Sequence, residues 1–356
     1  MDIISLLEIA GERGASDVHL IVSRPPVFRI NGYLEPLDTA SLLTNEDIRT
    51  AFCELTISEQ QDEFERNKEL DFSYTLPDSR RVRCNAAYQQ GTISMVIRIL
   101  PSVVKDIDDL GLPPVCKELI LRPRGLVMVS GPTGSGKSTT LAAMLKYLNA
   151  TEKRRIVTIE DPVEYLHPSQ KCVITQRELG QDTLSFAESL RHVLRQDPDV
   201  ILVGEMRDLD TAAAVLNVAE TGHLVLTTGH ASSASQAAER IIDLFPPYER
   251  NLVQTRLATL LLGVICQSLV PKTDGSGRVV AIEIMLAIPP VKNLIREGKL
   301  YQLPNIIRTN AQSGMVMMDQ SLVALCRQGI ISKENLFTFC NDHDEVEKLM
   351  TMVPYA

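Results

Sequence analysis

The sequence predicts an α/β protein: a mainly parallel sheet core, a smaller α+β module ahead of it and a helical tail behind it. Three observations carry that expectation. Between residues 126 and 286, short apolar runs alternate with helical runs, the pattern of strands buried on both faces. Before residue 100 the strand-like pieces are joined by tight turns. At 356 residues the chain is also long for a single core, so two domains are expected.

The first domain is expected over 1–100. Met1–Glu8 reads as an amphipathic helix. Strand-like pieces follow at Val18–Val22 and Val27–Ile30, and Asn31-Gly32 turns the chain into Tyr33. Thr44-Asn45-Glu46-Asp47 opens a charged helix in capping-box style. Two further strands, Arg81–Tyr88 and Thr92–Ile99, meet across Gln90-Gly91. Residues 101–115, with Gly111 and three prolines, are the expected linker. The core is expected over 116–289, with strands at 126–130, 156–160, 200–204, 224–228 and 279–286. Residues 290–356 form the expected helical region, with turns at Gly298, Gly314 and Gly329.

Composition narrows the class. The net charge of −9 gives no overall attraction to nucleic acid or anionic lipid. The seven cysteines form no C-x-x-C pair, which suits reduced thiols rather than a disulfide framework or a zinc knuckle. The most apolar stretch, Leu257–Cys266, is shorter than the roughly 20 residues of a spanning helix. The N-terminus carries acids where a signal peptide has bases. A cytoplasmic protein is expected.

The most informative stretch is Gly131-Pro132-Thr133-Gly134-Ser135-Gly136-Lys137-Ser138, a complete phosphate-binding loop. Its glycines let backbone N–H groups curl around an anion. Lys137 supplies a positive charge for the β- and γ-phosphates, and Ser138 a hydroxyl for Mg²⁺. An apolar strand precedes the loop. A helix beginning near Thr139 follows, with its positive dipole end toward the phosphates.

Acids at the ends of the next strands point to hydrolysis. Ile156–Ile159 leads into Glu160-Asp161-Pro162-Val163-Glu164, and Val200–Val203 into Gly204-Glu205-Met206-Arg207-Asp208. The carboxyl ends of strands are the ligand edge of open α/β sheets. Hydrolysis needs one acid near the metal and one to orient water. Glu205 is assigned the metal side and Glu164 the base, with Glu160, Asp161 and Arg207 shaping the nucleotide pocket. His223 and His230 bracket the strand Leu224–Thr228, and both are candidates for sensing the γ-phosphate. Arg83, Arg98, Arg195 and Arg240 are candidates for contacting phosphates, in a ring even from a neighbouring subunit; the alternative for each is a surface ion pair.

With these motifs, the chain resembles the type IV pilus retraction ATPases within the larger secretion-ATPase family. The phosphate loop, Thr158–Tyr165, Asp199–Asp208, Glu220–Leu224 and the opening Ala15–Leu20 carry the resemblance. It implies a PAS-like domain followed by a RecA-like P-loop motor, ATP with Mg²⁺, and a homohexameric ring. It also implies an inner-membrane pilus platform protein as partner, with pilin reached only indirectly, and a peripheral place at that membrane. The longer N-terminal extension and four-cysteine zinc insert of assembly and type II secretion relatives are not in the sequence. Two motifs depart from the usual pattern: Thr227-Thr228-Gly229-His230 replaces Gly-Thr-Leu-His, and the helix opening Pro290-Val291-Lys292 replaces Ala-Ile-Arg.

Other readings stay open: an accessory retraction paralogue, a pilus-assembly or secretion ATPase, a nucleotide-gated scaffold, and a RecA-like DNA translocase. No nucleic-acid partner is expected, because Trp is absent and aromatics are only 4%.

Overall fold

The computed structural model describes residues 2–78, 80–101 and 103–351. The chain forms two compact units. One runs to Val103 and includes Glu164–Leu166; the other comprises Val104–Val163 and the chain from His167 onward.

The first unit is a six-stranded antiparallel sheet with helices on its apolar face. Its strands are β1 (Asp17–Leu20), β2 (Val27–Ile30), β3 (Tyr33–Pro36), β4 (Glu69–Thr75), β5 (Arg81–Gln89) and β6 (Thr92–Ile99), in the order β3-β2-β1-β6-β5-β4. Asp2 caps helix Ile3–Glu12 by accepting the N–H groups of Ile4 and Ser5. The capping box expected at Thr44 opens helix Asn45–Leu55: Thr44 Oγ1 accepts the Asp47 N–H at 3.1 Å, and Asp47 Oδ2 accepts the Thr44 N–H at 2.9 Å. Strand β4 was not anticipated. Its Glu-Leu-Asp-Phe opening alternates polar and apolar residues, and Leu70 and Phe72 turn inward.

Phe64, on helix Ser58–Asn67, is fully buried in this core. Its ring lies 4.7 Å from that of Phe52 and stacks on Tyr88 at 4.9 Å.

In the second unit, β7 (Gly125–Ser130), β8 (Arg155–Glu160), β9 (Val173–Glu178), β10 (Val200–Val203), β11 (Leu224–Gly229), β12 (Leu261–Pro271) and β13 (Arg278–Leu286) form one mixed sheet. The order is β13-β12-β7-β11-β10-β8-β9, parallel except for β12–β13. Strands β7, β10 and β11 are buried along their whole length, as two-sided cover requires. Their side chains alternate between two cores. Leu126, Met128, Ile201, Val203 and Val225 meet helices Leu209–Glu220, Ala234–Asp243 and Arg250–Leu260. Val127, Val129, Val200, Leu202, Leu224 and Leu226 meet helices Val115–Ile120 and Lys137–Thr151.

Neither β9 nor β12 was anticipated. β9 is an edge strand with only two apolar residues, so its pattern is weak. β12 is an apolar run whose sequence does not distinguish strand from buried helix. The C-terminal helices close a third core around Val270, Ala281, Met318 and Leu322.

Among the described residues all seven cysteines are free. Burial pushes the Cys116 thiol up to about 12 and that of Cys266 well above its usual value. No helix among the described residues is long and apolar enough to cross a membrane.

Truncating Phe64 removes the ring at the centre of the first core. Phe64→Ala is expected to destabilise that unit by about 3–5 kcal/mol. A denaturant titration should show its transition moving to lower concentration.

Candidate active site

The phosphate loop links the end of β7 to helix Lys137–Thr151, and its shape depends on Gly131. The φ of Gly131 is +143°, and a Cβ there would lie 2.3 Å from the Gln267 carbonyl oxygen and 2.7 Å from Ser135 Oγ. Strand β12 therefore presses directly on the loop backbone. Gln267 reinforces the contact, its Nε2 donating to Ser135 O at 2.6 Å.

Ser135 is 3% exposed, and its buried hydroxyl has no hydrogen-bond partner among the described residues. Lys137 Nζ donates to the carbonyls of Gly131 at 2.8 Å and Pro132 at 3.1 Å. A phosphate is a stronger acceptor than these neutral carbonyls. Ser138 and Thr139 occupy the first turn of the helix, whose N-terminal dipole favours an anion. A tight backbone cradle, an unpartnered buried hydroxyl and an adjacent ammonium group together fit a nucleotide's phosphates.

Parallel register brings the next groups to the same edge. Ser130, at the end of β7, is paired with Gly229 at the end of β11, and β11 is paired with β10. Just beyond those ends, Glu205 pairs with Arg207 and, through Oε2, lies 3.3 Å from His230 Nε2. Thr228 Oγ1 donates to Gly204 O at 2.5 Å, tying the β11 end to the Glu205 turn.

Burial lowers the pKa of His230, and the positive charges of Lys137, Arg207 and Arg240 lower it further. The imidazole is thus neutral at pH 7. Because a carboxylate only accepts, Nε2 carries the proton toward Glu205. Arg240, exposed on helix Ala234–Asp243, is accordingly close enough to influence this site.

Glu160 ends β8, and its Oε1 accepts from Gln176 Nε2 at 3.4 Å. The acidic segment beyond it is held at Val163, whose N–H donates to Glu178 Oε2 at 3.0 Å, and at His167, whose N–H donates to Gln176 Oε1 at 2.8 Å. Asp161 is exposed. Glu164 is half-buried and carries no hydrogen bond or ion pair among the described residues.

Two expected site residues of the second unit, His223 and Arg195, are not brought to the loop within this chain. His223 stands before β11, where its Nδ1 meets Thr221 Oγ1 at 3.0 Å and Val218 O at 3.2 Å. A strand's two ends lie on opposite edges of a sheet, so residues bracketing β11 are separated by about 20 Å. Of the two histidines expected at the γ-phosphate, His230 is thus at the loop's edge of the sheet and His223 at the opposite edge of the same chain. Arg195 is also at the far edge: the adjacent Gln196 carbonyl accepts from Arg155 Nε, at the start of β8, at 2.6 Å. Arg83 and Arg98 are paired across β5 and β6 in the first unit, where Arg98 Nε donates to Asp17 Oδ1 at 2.9 Å.

The sequence matches the family described as Type II/IV secretion system protein over residues 2–335. The chain belongs to that family. Among its relatives, the Pseudomonas aeruginosa "Type IV pilus retractation ATPase PilT" is 45% identical over 94% of this chain and 97% of its own. "Type IV pilus ATPase PilU" of the same organism is 38% identical over 99% of this chain and 92% of its own. A crystal structure of the pilus retraction motor PilT with bound ADP superposes with a TM-score of 0.91 at 41% identity, covering 98% of this chain and 99% of that one. The family's ATPase fold is therefore the fold described above.

Gln267 and Ser130 belong to no motif recognised in the sequence. The one available signal for Gln267 was a polar residue ending an apolar run.

If the cradle depends on the bare backbone at Gly131, Gly131→Ala should weaken nucleotide binding by about 10-fold or more, since φ and space both oppose a side chain. Gly275→Ala is the control: φ is positive there too, at +70°, but nothing lies within 4 Å. Titration with ADP should separate the two variants.

Proposed function

We propose that this protein is an ATP-hydrolysing motor that retracts type IV pili. One observation carries the reading: 45% identity to a pilus retraction ATPase extends over nearly the full length of both chains. The phosphate-loop geometry supports it. The accessory paralogue is the second reading, and the lower identity to PilU, 38%, favours the first.

The roles follow from the groups at the ligand edge. The loop Gly131–Ser138 wraps the phosphates with the backbone N–H groups of its residues other than Pro132, and Lys137 pairs with the β- and γ-phosphates. Ser138 and Glu205 are the residues that would hold Mg²⁺, Glu205 partly through water. When bound, that ion neutralises charge developing on the phosphates. Glu164 orients the attacking water and accepts its proton, a role favoured by its freedom from other hydrogen bonds. Neutral His230, held by Glu205, reads the γ-phosphate. Arg207 and Arg240 supply positive charge around it.

A homohexameric ring suits the distribution of arginines. Arg195, at the opposite edge of the sheet, would reach phosphates only if a neighbouring subunit presented it, and Arg83 and Arg98 are further candidates for contacts in trans. The ring works in the cytoplasm against an inner-membrane platform protein. Hydrolysis there draws pilin subunits out of the filament without touching them directly.

Lys137→Ala should abolish turnover and weaken ATP binding together. Glu164→Gln should still bind ATP while hydrolysis falls by roughly 10²-fold or more. Phosphate release and nucleotide titration on each variant test this. Near-normal turnover in Glu164→Gln, with loss in Glu160→Gln, would move the base to Glu160. Deletion of the gene, followed by counting surface pili, tests direction: loss of a retraction motor leaves excess pili, and loss of an assembly motor leaves none.

A further inference from the structure

The turn that carries His230 is fastened by side chains from a single row of the sheet. Gly229, Ser130, Cys266 and Glu283 stand in register across β11, β7, β12 and β13, so they share one face. Gly229 contributes no side chain; a Cβ there would meet Met128 Cε at 2.1 Å and Ser130 Oγ at 3.3 Å. That bare position lets the chain fold back across its own sheet. Ser130 Oγ then donates to Ala231 O at 2.8 Å. At the far end of the row, Glu283 Oε1 accepts the N–H of Ala234 at 2.7 Å, where helix Ala234–Asp243 begins.

Glu283 is 1% exposed. Burial raises its pKa, against the backbone donors, which favour the ionised form. A charged side chain this deep in a core needs a specific reason. Its second oxygen, Oε2, accepts the N–H of Met318 at 3.3 Å, at the start of helix Met318–Arg327. That helix is itself fixed to β13: Ser321 Oγ accepts the Ile282 N–H at 3.1 Å, and Val316 exchanges backbone hydrogen bonds with Ile284 at 2.8 and 3.2 Å. The Met318 contact therefore locks the carboxylate with Oε1 directed at Ala234. Both donors are helix N-terminal N–H groups, which lack partners inside their own helices.

We propose that Glu283 is a positioning residue for ATP hydrolysis: together with Ser130 it sets the turn Ala231–Ser233 and so holds His230 against Glu205. The proposal rests on the reading of His230 as the γ-phosphate sensor. A carboxylate suits the task because both of its oxygens accept. An amide of the same shape accepts with one oxygen and turns an NH₂ donor on the other N–H.

The test is a double-mutant cycle on the full-length chain, with phosphate release and ADP titration as readouts. Glu283→Gln should lower kcat by about 10-fold or more with KM and the ADP Kd within about two-fold, because misplacing a group by under 1 Å is costly for chemistry but not for binding. On a His230→Ala background the same substitution should cost less than about two-fold further. Ser130→Ala, a smaller change, should lower kcat and lose its effect in the same background, and it keeps the test available if Glu283→Gln does not fold. An unchanged kcat in Glu283→Gln, or a full additive loss in the His230→Ala background, overturns the positioning role. If the Gln variant does not fold, the same two results in Ser130→Ala overturn it. If His230→Ala alone turns over normally, the sensor reading fails first and the role of Glu283 falls with it.

Discussion

The contact between the Gly131 backbone and the Gln267 carbonyl is the constraint on which the site depends. It forces the chain leaving β7 to curl rather than continue, and it requires a residue with no side chain at the point of closest approach. The curl aims the loop's N–H groups inward and starts helix Lys137–Thr151 where its dipole can act on the same anion. Strand β12 thus matters to the loop as much as the loop's own residues do. Its apolar neighbours hold it beside β7, and one glutamine locks the register through Ser135 O.

The rest of the site follows from parallel strands in register. When β7, β11, β10 and β8 run the same way, their carboxyl ends fall on one edge, and residues just beyond them gather without local affinity for one another. Glu205 and His230 are 25 residues apart in the chain and meet for this reason. The same geometry separates His223 from His230.

How much of this was legible in the sequence varied with the range of the physics. The phosphate loop was fully legible, because its demands fall on eight consecutive residues. The acids at the ends of β8 and β10 were legible because a strand end is a local event. That His230 meets Glu205 while His223 stands at the other edge follows from which way β11 runs beside β10. Edge strand β9 was missed because its apolar pattern is weak, and β4, whose alternation is clear over Glu69–Phe72, was legible but not read. Gln267, Ser130 and Glu283 were illegible as site residues. They act through backbone groups 132, 101 and 49 positions away, respectively, and no local pattern encodes such a partner.

Cys266, in the row between Ser130 and Glu283, gives the site one more property. Thiols react with oxidants and electrophiles as thiolates, and this one is buried beside a carboxylate with its pKa raised well above the ordinary value. Cys116, pushed up to about 12 by burial, is likewise held as the thiol at pH 7. Cys53 is the exposed thiol, on a helix of the first unit. A thiol reagent added to the folded protein therefore meets Cys53 first, with half-buried Cys326 and Cys340 next, and leaves the sulfur under the catalytic edge untouched. Once Cys326 and Cys340 are replaced, the chain can carry a spectroscopic label at Cys53 without re-engineering its core.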